Sequence, residues 1–236
     1  MNAISSVVKL HLNRRVVALA VPLFIVAVVV VISILISLLF WRGGSLPGSP
    51  GWINASRSNT GMLFSLAGFL VSMGVASAAT TFPFALALGA TRRAFTLGTL
   101  AWNILQAAYL TVVFAVLTIL ELATGHWFVG FYIFDINILG AGDLTKLVPI
   151  VFLSVLALLS VGGAFGASWV RFGARGPQVI AAAAAVVIIV GLIIAIPSAS
   201  AIIANFALWW LAVAGVVLVV IAMVGIWVPL RTATVR

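Results

Sequence analysis

From Gly176 to Leu230 the chain runs 55 residues without one ionisable side chain. A soluble domain must keep polar groups over much of its surface, and a run of this length cannot all be core. With 65% of the residues hydrophobic and only 6% charged, the whole chain has the same problem, so its solvent is lipid. Further uncharged runs extend from Val16 to Trp41, Ser58 to Thr91, Ala94 to Leu120 and Leu147 to Val170. Each holds a helix of about 20 residues, the length that crosses roughly 30 Å of hydrocarbon. The longest run holds two, with a turn at IPSASAIIAN (196–205), where Pro197, Ser198, Ser200 and Asn205 collect.

The expectation is an all-α membrane protein, one transmembrane domain over residues 1–236 that forms a six-helix bundle. Its spans are expected at about 16–41, 60–83, 97–120, 147–170, 178–196 and 206–228. A transmembrane β-barrel would show short alternating segments instead of continuous apolar runs. Lys9, Arg14 and Arg15 before an apolar run resemble a signal peptide, but the run is too long for one and shows no A-x-A-like site before Trp41. It reads as a retained first span. The chain has no cysteine, which excludes disulfides, thiol catalysis and cysteine metal sites.

A net charge of +9 would suggest nucleic acid in a soluble protein, so the placement of the charges decides. Lys9, Arg14, Arg15, Arg92, Arg93, Arg171, Arg175, Arg231 and Arg236 all fall on the N-terminal side of the membrane, with no acid. Arg42, Arg57 and Lys146 fall on the other side with Glu121, Asp135 and Asp143, and sum to zero. The positive-inside rule then puts both termini in the cytoplasm of a multi-pass plasma (inner) membrane protein. Nucleic acid is not expected as a partner. Anionic membrane lipid is, at about 1 kcal/mol per basic residue near the surface.

Ile4, Val8 and Leu12 recur at helical spacing within residues 1–15, as in an amphipathic helix lying in the interface; the alternative is a frayed basic tail. The Gly-, Pro- and Ser-rich stretch at 42–59 is expected to be irregular. In the longer loop at 122–146, Trp127, Phe128, Phe131, Tyr132 and Phe134 read as anchors at headgroup level. Small residues form stripes at Gly61, Ser65, Gly68 and Ser72, and pairs at Gly162 and Gly166 and at Ala181 and Ala185, which permit close helix packing. Asn103, Gln106 and Tyr109 are the most polar set inside a span, and two readings stand: bonds across helices, or contact with a substrate path.

Chemistry is conspicuously lacking. On these boundaries no span interior holds an ionisable residue, which weighs against an ion-coupled carrier. His11 and His126 lie outside the spans, no G-x-S-x-G or H-E-x-x-H occurs, and neither lysine follows a glycine as a phosphate-binding loop requires. Gly140-Ala141-Gly142-Asp143 spells the GxGD string of intramembrane aspartyl proteases, but the second aspartate of such a pair would have to come from another span, and Asp135 is in the same loop. A glycine-rich turn ending in a solvated aspartate is the better reading. The chain is therefore expected to be no enzyme and to carry no cofactor or metal of its own.

The remaining surfaces are the N-terminal helix, the loop at 85–96 and RFGARGP (171–177). Gly89 is suited to a left-handed helix cap and Thr91 to capping the next helix, which leaves Arg92 and Arg93 in its first turn, where cations oppose the helix dipole. Helix stability does not explain them; topology anchoring or docking of an acidic partner does. If the segment from Phe84 is continuously helical, Phe84, Leu88, Thr91 and Phe95 share one face with Arg93 opposite.

LGATRRAFTLG (88–98), between the second and third of six spans, resembles the L-G-x-[ST]-R-[RK]-x-[FY]-x-x-G segment of ABC-2 type permeases, the membrane subunits of certain ATP-driven exporters. In that family the segment is a coupling helix seated in a groove of a separate ATPase, and a basic amphipathic helix precedes the first span. The resemblance implies ATPase contacts at Leu88, Gly89, Thr91, Arg92, Arg93 and Phe95; Arg171 and Arg175, on the separate cytoplasmic loop at 171–177, are further candidates for that contact. It also implies two ATPase subunits that bring ATP and Mg, a second permease subunit, either identical or related, and amphipathic cargo such as a peptide, antibiotic or lipid. Asn103, Gln106 and Tyr109 are the candidates for its path. The other expectation is a non-transporting scaffold or accessory subunit that recruits a cytoplasmic partner through the same loops.

Overall fold

The computed structural model describes residues 3–198 and 208–233. Within them every regular element is helical. In chain order these are α1 (Ala3–Leu12), α2 (Val21–Arg42), α3 (Pro50–Arg57), α4 (Gly61–Ala79), α5 (Thr81–Ala87), α6 (Arg92–Ala123), α7 (Leu144–Phe172), α8 (Arg175–Ala195) and α9 (Leu208–Thr232). Six stretches among the described residues are long and apolar enough to cross a membrane: Val16–Arg42, Pro50–Ala87, Arg92–Ala123, Leu144–Phe172, Arg175–Ser198 and Trp209–Thr232. This is an all-α protein of the multi-pass membrane type. Of the expected turn at 196–205, Ser200 and Asn205 lie outside the described residues; Pro197 and Ser198 close a short 3-10 turn, Ile196–Ser198.

The chain divides into two compact units. One comprises Met1–His11, Val71–Ala101 and Ala157–Arg236, and holds α1, α5, α8, α9, the start of α6, and the C-terminal parts of α4 and α7. Its core gathers Val7, Ala78, Phe82, Ala85, Phe95, Ala167, Ile226 and Leu230. In it α4 and α7 approach to backbone contact: a methyl at Gly162 would collide with the Val71 carbonyl, one at Gly166 with the Val75 carbonyl, and one at Gly74 with the Leu159 carbonyl. Lipid does not drive apolar helices together, so van der Waals contact at such close approach is what holds them. The pair Gly162 and Gly166 lies at this contact as expected, and Gly74 joins it. Gly68 of the expected stripe on α4 does not serve in the same way, since a Cβ there would meet nothing. Ala181 and Ala185 are exposed on α8, whose apolar window has no buried residue.

The other unit comprises Leu12–Leu70 and Trp102–Leu156. It begins with a π-helical turn, Val16–Ala20, that leads into α2. Pro22 explains the turn: it has no N–H to give the Ala18 carbonyl four residues back, and its ring pushes that carbonyl aside. The expectation of an irregular segment at 42–59 is corrected at α3, where Ser49 caps the helix by accepting from the Trp52 N–H at 3.3 Å and Pro50 supplies a fixed φ at its first position.

Candidate functional site

The turn between α5 and α6 is closed by hydrogen bonds that its sequence dictates. The Ala90 N–H donates to the Ala85 carbonyl at 3.0 Å and the Gly89 N–H to the Leu86 carbonyl at 2.9 Å, the pair that defines a Schellman end. It requires a left-handed residue, and Gly89 has φ of +85°. Thr91 then accepts from the Ala94 N–H at 3.1 Å as the cap of α6. Helix therefore does not continue from Phe84, and the condition for a shared face of Phe84, Leu88, Thr91 and Phe95 is not met, whereas the cap residues Gly89 and Thr91 act as read. Phe84, Leu88, Gly89, Thr91 and Arg93 are exposed, whereas Phe95 is fully buried, packed edge-on against Phe82 at 5.1 Å between ring centroids. As placed, Phe95 has no surface to offer a partner.

Arg92 and Arg93 separate in role. The Arg92 Nη1 donates to the carbonyls of Leu230 at 2.9 Å and Arg231 at 2.6 Å, the last turn of α9. Helix C-termini leave carbonyls without intrahelical donors and carry partial negative charge, so this cation stabilises the end of α9 although it opposes the dipole of its own helix. Arg93 is exposed. The amphipathic helix α1 joins the same region: Val7 seats where Gly98 leaves no side chain, and the His11 Nε2 lies 3.2 Å from the Thr99 Oγ1. On the loop between α7 and α8, Arg171 and Arg175 are exposed, and the Arg171 guanidinium lies 4.9 Å from the centre of the Phe172 ring.

Of the polar set Asn103, Gln106 and Tyr109 on α6, two bond to backbone of the first span. The Gln106 Nε2 donates to the Ala18 carbonyl at 2.5 Å and the Tyr109 hydroxyl donates to the Leu19 carbonyl at 3.0 Å. They supply donors to backbone that Pro22 and the π-turn leave short of partners. Asn103 is buried in the same helix. Of the two readings for this trio, bonds between helices account for Gln106 and Tyr109.

A second polar site was not foreseen. α6 extends to Ala123, past the expected end at 120, and carries Glu121 fully buried within its last turns. Four donors from the following loop converge on that carboxylate: Trp127 Nε1 at 3.0 Å, and the N–H groups of Ile133, Phe134 and Asp135 at 2.8–3.2 Å. His126, Trp127 and Phe128 all adopt positive φ, between 57° and 64°, which folds the loop back over the helix end. Asp135, 1% exposed, is bound at Oδ2 by Arg57 at 2.7 Å and by the His126 Nε2 at 2.9 Å. Trp52 of α3 closes the arrangement by donating from Nε1 to the Gly130 carbonyl at 2.8 Å.

The aromatics of this loop are accordingly redistributed. Phe131 and Phe134 are buried, Phe134 edge-on to Phe114 at 5.7 Å, and Trp127 and Tyr132 are half-buried; Phe128, 85% exposed, keeps the character of an anchor. Asp143, the aspartate of the GxGD string, caps α7 by accepting from the Thr145 N–H at 2.9 Å, and Lys146 pairs with it at 3.2 Å. The Thr145 hydroxyl first, and Lys146 after it, hold its carboxyl below the usual range. The glycine-rich turn expected here thus ends in an aspartate that caps the next helix. No group of three or more potential ligands for a metal occurs among the described residues. Comparison with protein-family models, with curated proteins and with solved structures finds no match.

Proposed function

We propose that the chain is the permease subunit of an ATP-driven exporter, with the α5–α6 turn on the cytoplasmic side as the docking point for a separate ATPase subunit. The observation that carries the reading is the way this turn is built. It exposes Phe84, Leu88 and Arg93 on a capped, hydrogen-bonded corner, while Arg92 ties the base of α6 to the end of α9 and Gly98 seats α1. A partner that pulls on the corner thereby displaces α6, α9 and α1 together, which a floppy basic loop would not transmit. In this reading the nucleotide and Mg belong to two ATPase subunits, and two permease subunits form the complex, with the unpacked face of α8 free for a second copy. Cargo is amphipathic, because the spans offer mostly apolar surface, and Glu121, the acid buried within α6, is engaged by four loop donors and not open to an ion.

Expression with a candidate ATPase, affinity purification and an export assay test this reading. The expected result is that Arg93→Glu together with Leu88→Glu abolishes ATPase association while the membrane protein stays folded. Unchanged association would overturn the docking assignment. A non-transporting scaffold is the second reading, and it is favoured by the engagement of Gln106 and Tyr109 with backbone in place of a polar path. It predicts ATPase binding that moves no compound.

A further inference from the structure

We infer that the groove between the start of α6 and α9 is a binding site for an anionic phospholipid, with an acyl chain in the groove and the phosphate on Arg93. The groove has a volume of about 490 Å³, within the range of ~300–1,000 Å³ that small-ligand sites occupy. Thr96, Leu97 and Leu100 form one wall, and Val220 and Trp227 stand on the other, with Arg93 at its rim. The one hydroxyl among these residues is already used, since the Thr96 Oγ1 donates to the Arg92 carbonyl at 3.1 Å. Walls of this kind, on two helices of membrane-spanning length, suit hydrocarbon and offer nothing to a polar solute.

The charge at the rim selects the headgroup. Among the described residues, the unit that contains the groove includes Lys9, Arg92, Arg93, Arg171, Arg175 and Arg231 and not one acidic residue. All three acids of the chain belong to the other unit, where Glu121 and Asp135 are held in the loop and Asp143 caps α7. Within the described residues of its own unit Arg93 therefore has no acidic side chain to pair with. Arg92 is occupied by the α9 carbonyls, so Arg93 is the cation at the rim that is exposed, and Arg231, also exposed, lies at the α9 end that Arg92 holds. A phosphodiester anchored there, with its tail running down an apolar groove, satisfies both features at once. The inference does not depend on whether an ATPase docks on the turn.

The test uses the full chain alone, without any ATPase, reconstituted in bilayers of equal phosphatidylglycerol and phosphatidylcholine and then examined by native mass spectrometry for retained lipid. The wild type is expected to retain phosphatidylglycerol preferentially. Arg93→Gln is expected to lower that preference about fivefold while bound lipid persists. Leu100→Trp and, on the more tolerant exposed wall, Val220→Phe fill the groove and are expected to lose retained lipid of both kinds, with unchanged helicity confirming that each variant is folded. Three results would overturn the inference. They are equal retention of both lipids by the wild type, loss with Arg93→Gln but not with either groove-filling variant, and a change in monomer–dimer ratio on filling with lipid retention unaltered, which would make a second copy the occupant.

Discussion

Glu121 and Phe134 are joined by a hydrogen bond of 2.8 Å from the Phe134 N–H to the buried carboxylate, the shortest of a set that also draws in Trp127, Ile133 and Asp135. Twelve residues lie between these two, and the loop's backbone donors would otherwise be stranded as it folds over the end of α6. Glu121→Ala removes the acceptor from four donors at once. The expected loss is about 3–5 kcal/mol, since each unsatisfied buried donor costs about 1–3 kcal/mol and the costs overlap. Thermal unfolding in detergent measures it, and faster tryptic cleavage at Arg57 and Lys146 marks release of the loop. An intact loop in this variant would show that the carboxylate is not its organiser.

Asp135 links that loop to α3 through Arg57 and to His126 on its own strand of chain. The carboxylate is buried but the Arg57 side chain is 34% exposed, so part of the attraction is screened. Asp135→Asn is expected to cost about 1–3 kcal/mol, less than the loss of a wholly buried pair. A double-mutant cycle with Arg57→Gln should return a coupling of about 1 kcal/mol. Strict additivity of the two substitutions would mean that the contact carries no energy.

What could be read in advance follows from the range of the forces involved. Charge exclusion from hydrocarbon acts residue by residue, so the runs from Val16, Ser58, Ala94, Leu147 and Gly176 announce long apolar helices without reference to any partner. Gly89 and Thr91 were equally legible, because a cap bonds to backbone three to five residues away. Ser49-Pro50 carried the same kind of local signal for α3, and the glycines and serines around it masked it. Glu121 was not legible, because its partners lie six to fourteen residues on, in a loop whose conformation the carboxylate itself organises. Pro22 in the first span announces a carbonyl without a donor, but nothing local says that Gln106, 88 residues away, supplies one. The role of Arg92 was hidden for the same reason, since the α9 carbonyls it meets are 138 and 139 residues on.

Glycines on α4 separate packing from propensity. A side chain at Gly74 meets the Leu159 carbonyl and the Gly162 and Gly163 backbone, whereas one at Gly68 meets open space. Gly74→Ala should therefore destabilise by about 1–3 kcal/mol, the usual cost of overpacking. Gly68→Ala should be neutral or stabilising by up to about 1 kcal/mol, the difference in helix propensity. Equal effects at the two positions, measured by unfolding in mixed micelles, would dissolve the assignment of a backbone contact between α4 and α7.

Tyr109→Phe and Gln106→Leu remove the donors to Leu19 and Ala18 in turn. Hydrogen bonds between helices in membranes are worth about 0.6–2 kcal/mol, and the Gln106 bond should sit at the upper end because Pro22 leaves its carbonyl no alternative. Replacing Pro22 by Ala restores an N–H to the α2 ladder. In that background Gln106→Leu should cost less than it does in the wild type, a non-additivity that a role for Gln106 in a substrate path would not produce.

Arg92 and Arg93 are adjacent in sequence, and their substitutions should differ in kind. Arg92→Ala strips the α9 C-terminus of a cation and of two charge-assisted hydrogen bonds, both from Nη1, at an expected cost of about 1–2 kcal/mol. Faster amide exchange over the last turn of α9 would locate the damage. Arg93→Ala leaves every hydrogen bond described for this corner intact, so it should leave stability within about 0.5 kcal/mol of wild type. Lysine at position 92 keeps the charge but carries it on a flexible stem without the planar guanidinium that fixes both Nη1 hydrogens on the carbonyls, and is expected to recover part of the stability. If Arg92→Ala and Arg93→Ala were equally harmless, the tie between α6 and α9 would carry no weight, and the pair would revert to being two charges at a membrane surface.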